Sequence, residues 1–225
     1  MGILIAIDGV DASGKQTQTE LLKERLKNDV RLISFPMYDN PSSTAVKMYL
    51  GGELGKNPDD VNAYAASAFF AVDRYITYKS DWGRDYESDK VILADRYVSS
   101  NMIHQAGKIQ DLDEKSKFLD WLYDFEYEKF ELPKPDITIF LDMPVEYGKM
   151  LMAKRANKID GSDVKDIHES DTDYLKNSYN NAMFVAKKYN WHCVKCVNEQ
   201  GIRSVEDIHE EIYKLVNEIL KNKAS

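Results

Sequence analysis

ILIAIDGVDASGKQTQTELL, residues 3–22, decides the fold. An apolar run of strand character enters a loop bounded by Gly9 and Gly14, and Lys15 then opens a stretch with helical spacing. The interval Gly9-x4-Gly14-Lys15 is that of a phosphate-cradling loop. Such a loop needs backbone N–H groups at a helix N-terminus, residues small enough to let them close on the oxygens, and a lysine as a point charge. Two glycines and a lysine are common in ordinary βα turns; their place directly between a strand and an amphipathic helix is not. Gly9, Val10, Asp11, Ala12, Ser13, Gly14, Lys15, Gln16 and Thr17 are therefore read as the site of nucleotide phosphates. Gln16 departs from the pattern, which has there a Ser or Thr whose hydroxyl meets Mg2+. Thr17 is no direct substitute, since one helical step turns its side chain by about 100°. Either the Gln16 amide oxygen serves, or water, phosphate and carboxylates elsewhere hold the metal.

Outward from this stretch, β-rich runs recur at residues 3–8, 30–35, 91–95, 137–141 and 192–197. Patterns of helical period separate them at 15–27, 61–79, 115–129, 145–156, 172–189 and 205–221. Strands alternating with helices predict an α/β fold, a mainly parallel sheet of about five strands with helices on both faces, three layers in all. No linker or low-complexity stretch interrupts the chain, so residues 1–225 are read as one domain. In such sheets ligands sit beyond the carboxyl ends of the strands. Segments 9–15, 35–43 and 95–101, which follow the first three strands, should open on one crevice.

The formal charge of −8 argues against a nucleic-acid groove, though local cations can still hold small anions. No apolar run approaches the roughly 20 residues of a membrane span. The opening MGILIAIDG has no basic region and runs straight into the phosphate loop, unlike a signal peptide. A cytoplasmic protein is expected. Cys193 and Cys196 form a CxxC, yet WHCVKCV reads as a strand on which residues three apart face opposite ways, and no second pair completes a zinc site.

The third strand ends in Asp95-Arg96-Tyr97. A carboxylate at a strand end beside a phosphate loop is where nucleotide-bound Mg2+ is met, directly or through water. Arg96 adds a permanently charged planar fork for a phosphate. An ordinary strand-end Asp–Arg pair is the alternative. With IAIDGVDASGKQTQ, FPMY (residues 35–38), FFAVDR (69–74), DRYVSSN (95–101) and LPKPDITIFLD (132–142) in order, the chain resembles the thymidylate kinase family, from residue 3 to about 170. The resemblance implies a P-loop nucleoside-monophosphate kinase fold, ATP as donor with Mg2+, dTMP as acceptor in dTTP synthesis, and a homodimer.

It also implies roles residue by residue. Phe70 and Arg74 stand one helical turn apart and project from one face; they match the Phe that stacks on thymine and the Arg that bonds its O4. A guanidinium only donates, so it suits a carbonyl at that position and repels cytosine's amino group. Asn101 matches the residue reading thymine N3. Core packing remains the alternative for Phe70, with Phe69 the better core residue, and Arg74 could instead pair with Asp73 or Glu87. Asp11 matches an acid near the sugar 3′-hydroxyl or the metal, while Phe35 and Tyr38 match positions beside the dTMP phosphate. With Met37 where relatives carry Arg, Arg96 takes more of that phosphate. His104 and Gln105 stand where the 2′ position is screened, an exposed helix histidine being the other reading.

Residues 154–173, KRANKIDGSDVKDIHESDTD, resemble the family's lid over ATP, which excludes water and brings cations to the transferring group. Ala12 holds a loop position where some relatives have Arg, so Arg155 is the expected lid cation, with Lys158 and Lys165 behind it. Asp166 and Glu169 match lid acids facing sugar or metal; a solvated charged loop is the alternative for all of these. Catalysis is expected from Lys15, Asp95, Arg96 and Arg155, and metal binding, directly or through water, from Asp11, Asp95 and Glu169. Two rivals stand beside the dTMP reading: a kinase for another nucleotide on the same fold, and a P-loop module that binds nucleotide without transferring phosphate.

Overall fold

The computed structural model describes residues 1–27, 30–156 and 172–223, the side chains of residues 58, 154–156 and 172–174 excepted. In chain order its elements are β1 (Ile3–Gly9), α1 (Lys15–Leu26), β2 (Val30–Ser34), α2 (Thr44–Leu50), α3 (Ala63–Thr77), α4 (Gly83–Glu87), β3 (Val91–Asp95), α5 (Val98–His104) and α6 (Leu112–Tyr123). There follow β4 (Ile137–Asp142), α7 (Val145–Ala156), α8 (Thr172–Lys188), β5 (His192–Lys195), β6 (Val197–Asn198), β7 (Gly201–Ile202) and α9 (Val205–Lys223).

β1 turns Leu4 and Ala6 into one apolar cluster and Ile5 and Ile7 into another. A strand buried on both faces belongs inside a parallel sheet covered by helices, and β1 is central in the order β2-β3-β1-β4-β5. Every pairing in this sheet is parallel. Leu4, Ile5 and Ile7 are wholly buried, and each such side chain stabilises the fold by about 1.5–3 kcal/mol. β3 ends at Asp95 opposite Ile7, while β1 runs two residues further to Gly9 opposite Leu141 of β4, so the segments after β1 and β3 leave the same edge of the sheet with that after β1 reaching further out.

Departures from the expected elements have local causes. The helix expected over residues 61–79 starts after Asn62, whose side chain accepts from Ala65 N. It runs on through a wide π-type turn, Tyr78–Trp82, into α4. α6 starts early because the Asp111 carboxylate accepts from Asp113 N and Glu114 N, and it too continues as a wide turn, Asp124–Lys129. α2 and α5 were not expected; at seven residues each they are too short to display a period. The run expected over 192–197 leaves the sheet after Lys195, and β6 folds back antiparallel on β7. Cys193 is exposed and Cys196 buried, both as free thiols. Burial pushes the Cys196 thiol up to about 12, which leaves it an inert packing group. Among the described residues no helix is long and apolar enough to cross a membrane.

Candidate active site

The phosphate loop owes its shape to two glycines. Gly14 has φ +88°, a left-handed turn favouring glycine, and it delivers the chain into α1. At Gly9 a Cβ would stand 2.5 Å from Ser13 Oγ and 3.0 Å from the Leu141 carbonyl oxygen, so only glycine lets the loop close on β4. Lys15 Nζ crosses the loop to donate to Gly9 O and Val10 O, both at 2.9 Å. Burial, aided by the positive charge of Arg96, brings the Lys15 ammonium down to about 8.

Asp8 lies beneath the loop. This wholly buried carboxylate accepts from Gly9 N at 2.8 Å, from Ser99 Oγ at 2.7 Å, and from Ser100 Oγ at 3.0 and 2.8 Å. One side chain thus joins the phosphate loop to the start of α5. Nothing in the sequence marked it: a carboxylate inside an apolar strand becomes informative only once the serines that begin α5 are seen against it.

Beyond β3 the chain turns sharply. Arg96 has φ +66°, a conformation costing an L-residue on the order of 1–2 kcal/mol, and its N–H bonds to Ile7 O at 3.0 Å. Its Nη2 donates to Asp11 Oδ1 at 2.7 Å, and its Nη1 meets Ser100 Oγ at 3.4 Å and His104 Nε2 at 3.1 Å. A guanidinium only donates, so His104 Nε2 accepts. His104 is therefore half-buried against Arg96, not the exposed helix histidine of the alternative reading. Burial would raise the Asp11 carboxyl, but Arg96 and Lys15 outweigh it and hold the group well below the carboxylate range. Asp95 goes the other way: burial raises it against the pull of Lys15 and Arg96.

Asp11, Arg96, Ser100 and His104 form the mouth of a cleft of about 100 Å³. Phe35, Tyr38, Phe70, Arg74, Asn101, His104 and Gln105 line it together with Asp11 and Arg96, so all nine residues expected to meet dTMP face one space. Pro36, Leu50 and Ser100 line it too and were not foreseen.

Phe70 is half-buried on the cleft wall, with the Tyr49 ring edge-on to it at 6.2 Å. Phe69 is half-buried and leans on the same Tyr49. Arg74, 1% exposed, lies on the floor. Its partner is neither Asp73 nor Glu87 but Glu126, held by Nε and Nη2 at 2.6 Å each. Burial would lower the Arg74 pKa, and the Glu126 carboxylate more than restores it. Asn101 Nδ2 donates to Ser67 O at 3.2 Å and Glu126 Oε1 at 3.3 Å, which turns its amide oxygen to other uses. Asp73 instead accepts from Met37 N at 2.9 Å and from Ser42 Oγ, pinning the segment after β2 onto α3.

Asp95 Oδ1 is buried beside the phosphate loop without a hydrogen-bond partner among the described residues. An orphaned carboxylate oxygen there fits a hard cation or its water. Gln16 is exposed and donates its amide to Glu20 at 3.1 Å, which leaves its carbonyl oxygen for the same task. Asp11 fits less well, since Arg96 holds one of its oxygens. Among the described residues no three His, Cys, Asp or Glu side chains cluster as a metal cage; Mg2+ commonly uses one or two carboxylates, water and substrate phosphate instead. Arg155, Lys158, Lys165, Asp166 and Glu169 lie outside the described side chains.

A glycine-shaped phosphate loop, a cation on each side of it and a deep cleft beyond define a P-loop phosphotransferase of the nucleoside-monophosphate kinase class. The family model "Thymidylate kinase" matches residues 7–212, and the chain belongs to that family. It is 30% identical to thymidylate kinase of Mycobacterium tuberculosis over 177 residues, 76% of this chain and 79% of that protein. To a probable thymidylate kinase of Thermococcus gammatolerans it is 29% identical, with 97% of each chain covered. The fold is shared with the solved thymidylate kinase of Candida albicans at TM-score 0.71 and 22% identity, covering 99% of this chain and 92% of that one.

Proposed function

We propose that the protein transfers the γ-phosphoryl group of ATP to the phosphate of dTMP, giving dTDP and ADP in dTTP synthesis. The observation carrying this reading is the single cleft that gathers Phe70, Arg74 and Asn101 at one end and Asp11 and Arg96 at the other. A ring-sized wall, a buried donor and an amide at the floor suit a pyrimidine with a C4 carbonyl. The cations at the mouth suit its phosphate. No general base is needed, because a phosphate monoester with a second pKa of about 6 is mostly dianionic at neutral pH. The chain supplies position and charge. Lys15 takes the donor phosphates, Arg96 takes the acceptor phosphate, and Asp11 keeps Arg96 oriented between them. Mg2+ neutralises phosphate charge when bound, with Asp95 and Gln16 the described residues best disposed to hold it or its water, and Arg155 and Glu169 proposed as lid contributions.

The test is ADP release from the purified protein with ATP and Mg2+, comparing dTMP, dUMP, dCMP, the ribose analogue of dTMP and thymidine. Strong preference for dTMP is expected, with turnover lost in a folded Lys15→Ala variant. Preference for another monophosphate would overturn the base-reading roles, and full turnover in Lys15→Ala would overturn the phosphate-loop role.

We further propose a single domain over residues 1–225, a cytoplasmic location and a homodimer. Val72 and Ile76, 42% and 40% exposed on α3, offer an apolar strip for a second copy. Sedimentation at equilibrium tests the dimer, and cell fractionation tests the location.

A further inference from the structure

Lys108 lies outside every role assigned above, yet it ties together α2, the residue before the cap of α3 and the turn that follows α5, three segments around the acceptor cleft. It closes the short turn Ala106–Lys108 that follows His104 and Gln105, and its own N–H bonds to Gln105 O at 3.2 Å. Its half-buried Nζ donates to Tyr49 Oη on α2 at 2.8 Å and to Val61 O, just before the Asn62 cap of α3, at 3.1 Å. Tyr49 is 1% exposed, and its ring stands perpendicular to that of Phe70 at 6.2 Å. Its neighbour Leu50 lines the cleft.

We infer that Lys108 is a positioning residue for the acceptor base: through Tyr49 it fixes the plane of Phe70, and through Val61 it fixes the start of the helix that carries Phe70 and Arg74. This rests on the reading of Phe70 as the base-stacking wall. The physical logic is that a long side chain spanning from the turn after α5 to α2 and to the entry of α3 makes three walls move as one. A ring held edge-on by a tyrosine that is itself hydrogen-bonded has little freedom to tilt. Burial brings the Lys108 ammonium down to about 8, so it is mostly charged at neutral pH and donates strongly to both oxygens.

The experiment measures KM for dTMP, KM for ATP and kcat in Lys108→Met, Lys108→Arg, Tyr49→Phe and Phe70→Leu, each checked for folding by circular dichroism. Expected for Lys108→Met and Tyr49→Phe is a rise of about tenfold in KM for dTMP, with KM for ATP and kcat near wild type. Lys108→Arg, which can still donate to both oxygens, should recover part of that loss. The double variant Lys108→Met/Tyr49→Phe should be no worse than Lys108→Met alone, because the link to Tyr49 is already lost there. Tyr49→Phe removes one hydroxyl only and serves as the deciding variant if Lys108→Met does not fold. An unchanged KM for dTMP in folded Tyr49→Phe and Lys108→Met, with a raised KM in Phe70→Leu, overturns the inference alone. An unchanged KM in Phe70→Leu overturns the base-stacking reading, and the inference with it.

Discussion

The floor and the mouth of the acceptor cleft each set an arginine against a carboxylate, and the two pairs differ in kind. On the floor Arg74 is 1% exposed and gripped by both oxygens of Glu126, with Asn101 bonded to the same carboxylate. At the mouth the Arg96 and Asp11 side chains are 25% and 19% exposed and joined by a single bond. Arg96 shares its other contacts with Ser100 and His104, groups that a phosphate can displace. A base is recognised by groups that must not move, whereas a phosphate that arrives and leaves charged needs a cation whose partners can yield. On the proposed roles, geometry is locked where the ligand is neutral and left exchangeable where it is an anion.

Removing the floor carboxylate should have the largest effect. Glu126→Gln leaves Arg74 charged and uncompensated in the interior, with an expected loss of about 3 kcal/mol of stability in urea unfolding and a raised KM for dTMP. A stability near wild type would mean that the floor is no more locked than the mouth. Arg96→Ala should leave unfolding almost unchanged while lowering kcat/KM by about 100- to 1,000-fold, as for loss of one preorganised donor to the transferring group. A pH profile sharpens the contrast. Lys15 is protonated below its pKa of about 8 and neutral above it, so charge for the donor phosphates is present at neutral pH and lost on the alkaline side. The kcat/KM for ATP should then fall about tenfold per pH unit beyond that point, and a profile flat to pH 10 would contradict it. The smallest expected effect is on stability in Asp11→Asn: the pair is partly solvated, and urea unfolding should show a change of less than about 1 kcal/mol.

The same contrast explains what could be read from the chain. Gly9, Gly14 and Lys15 are legible because a phosphate loop is local: a few consecutive residues fold around the ligand with their own backbone. Phe70 and Arg74 are legible through helical spacing, which puts them on one face whatever surrounds them. Glu126 is not, because it stands 52 residues from Arg74 and reaches it only through the wide turn ending α6. The adjacent Asp73 offered a plausible partner for Arg74, but residues next to each other on a helix diverge, and Asp73 bonds Met37 and Ser42 instead. The five strands follow from β-branched runs bounded by turn residues, while α2 and α5 exist through tertiary packing that no short pattern announces.

Asp8 has a consequence for how such a site can vary. Its carboxylate grips the N–H that shapes the donor loop and both hydroxyls that begin the acceptor helix. The phosphate loop and the start of α5 are therefore hung from one peg, and on the proposed roles the gap between donor and acceptor phosphates is gauged from that point. On that reading, changes in the outer reaches of either segment leave the gap set for as long as the Asp8 carboxylate keeps its bonds to Gly9, Ser99 and Ser100.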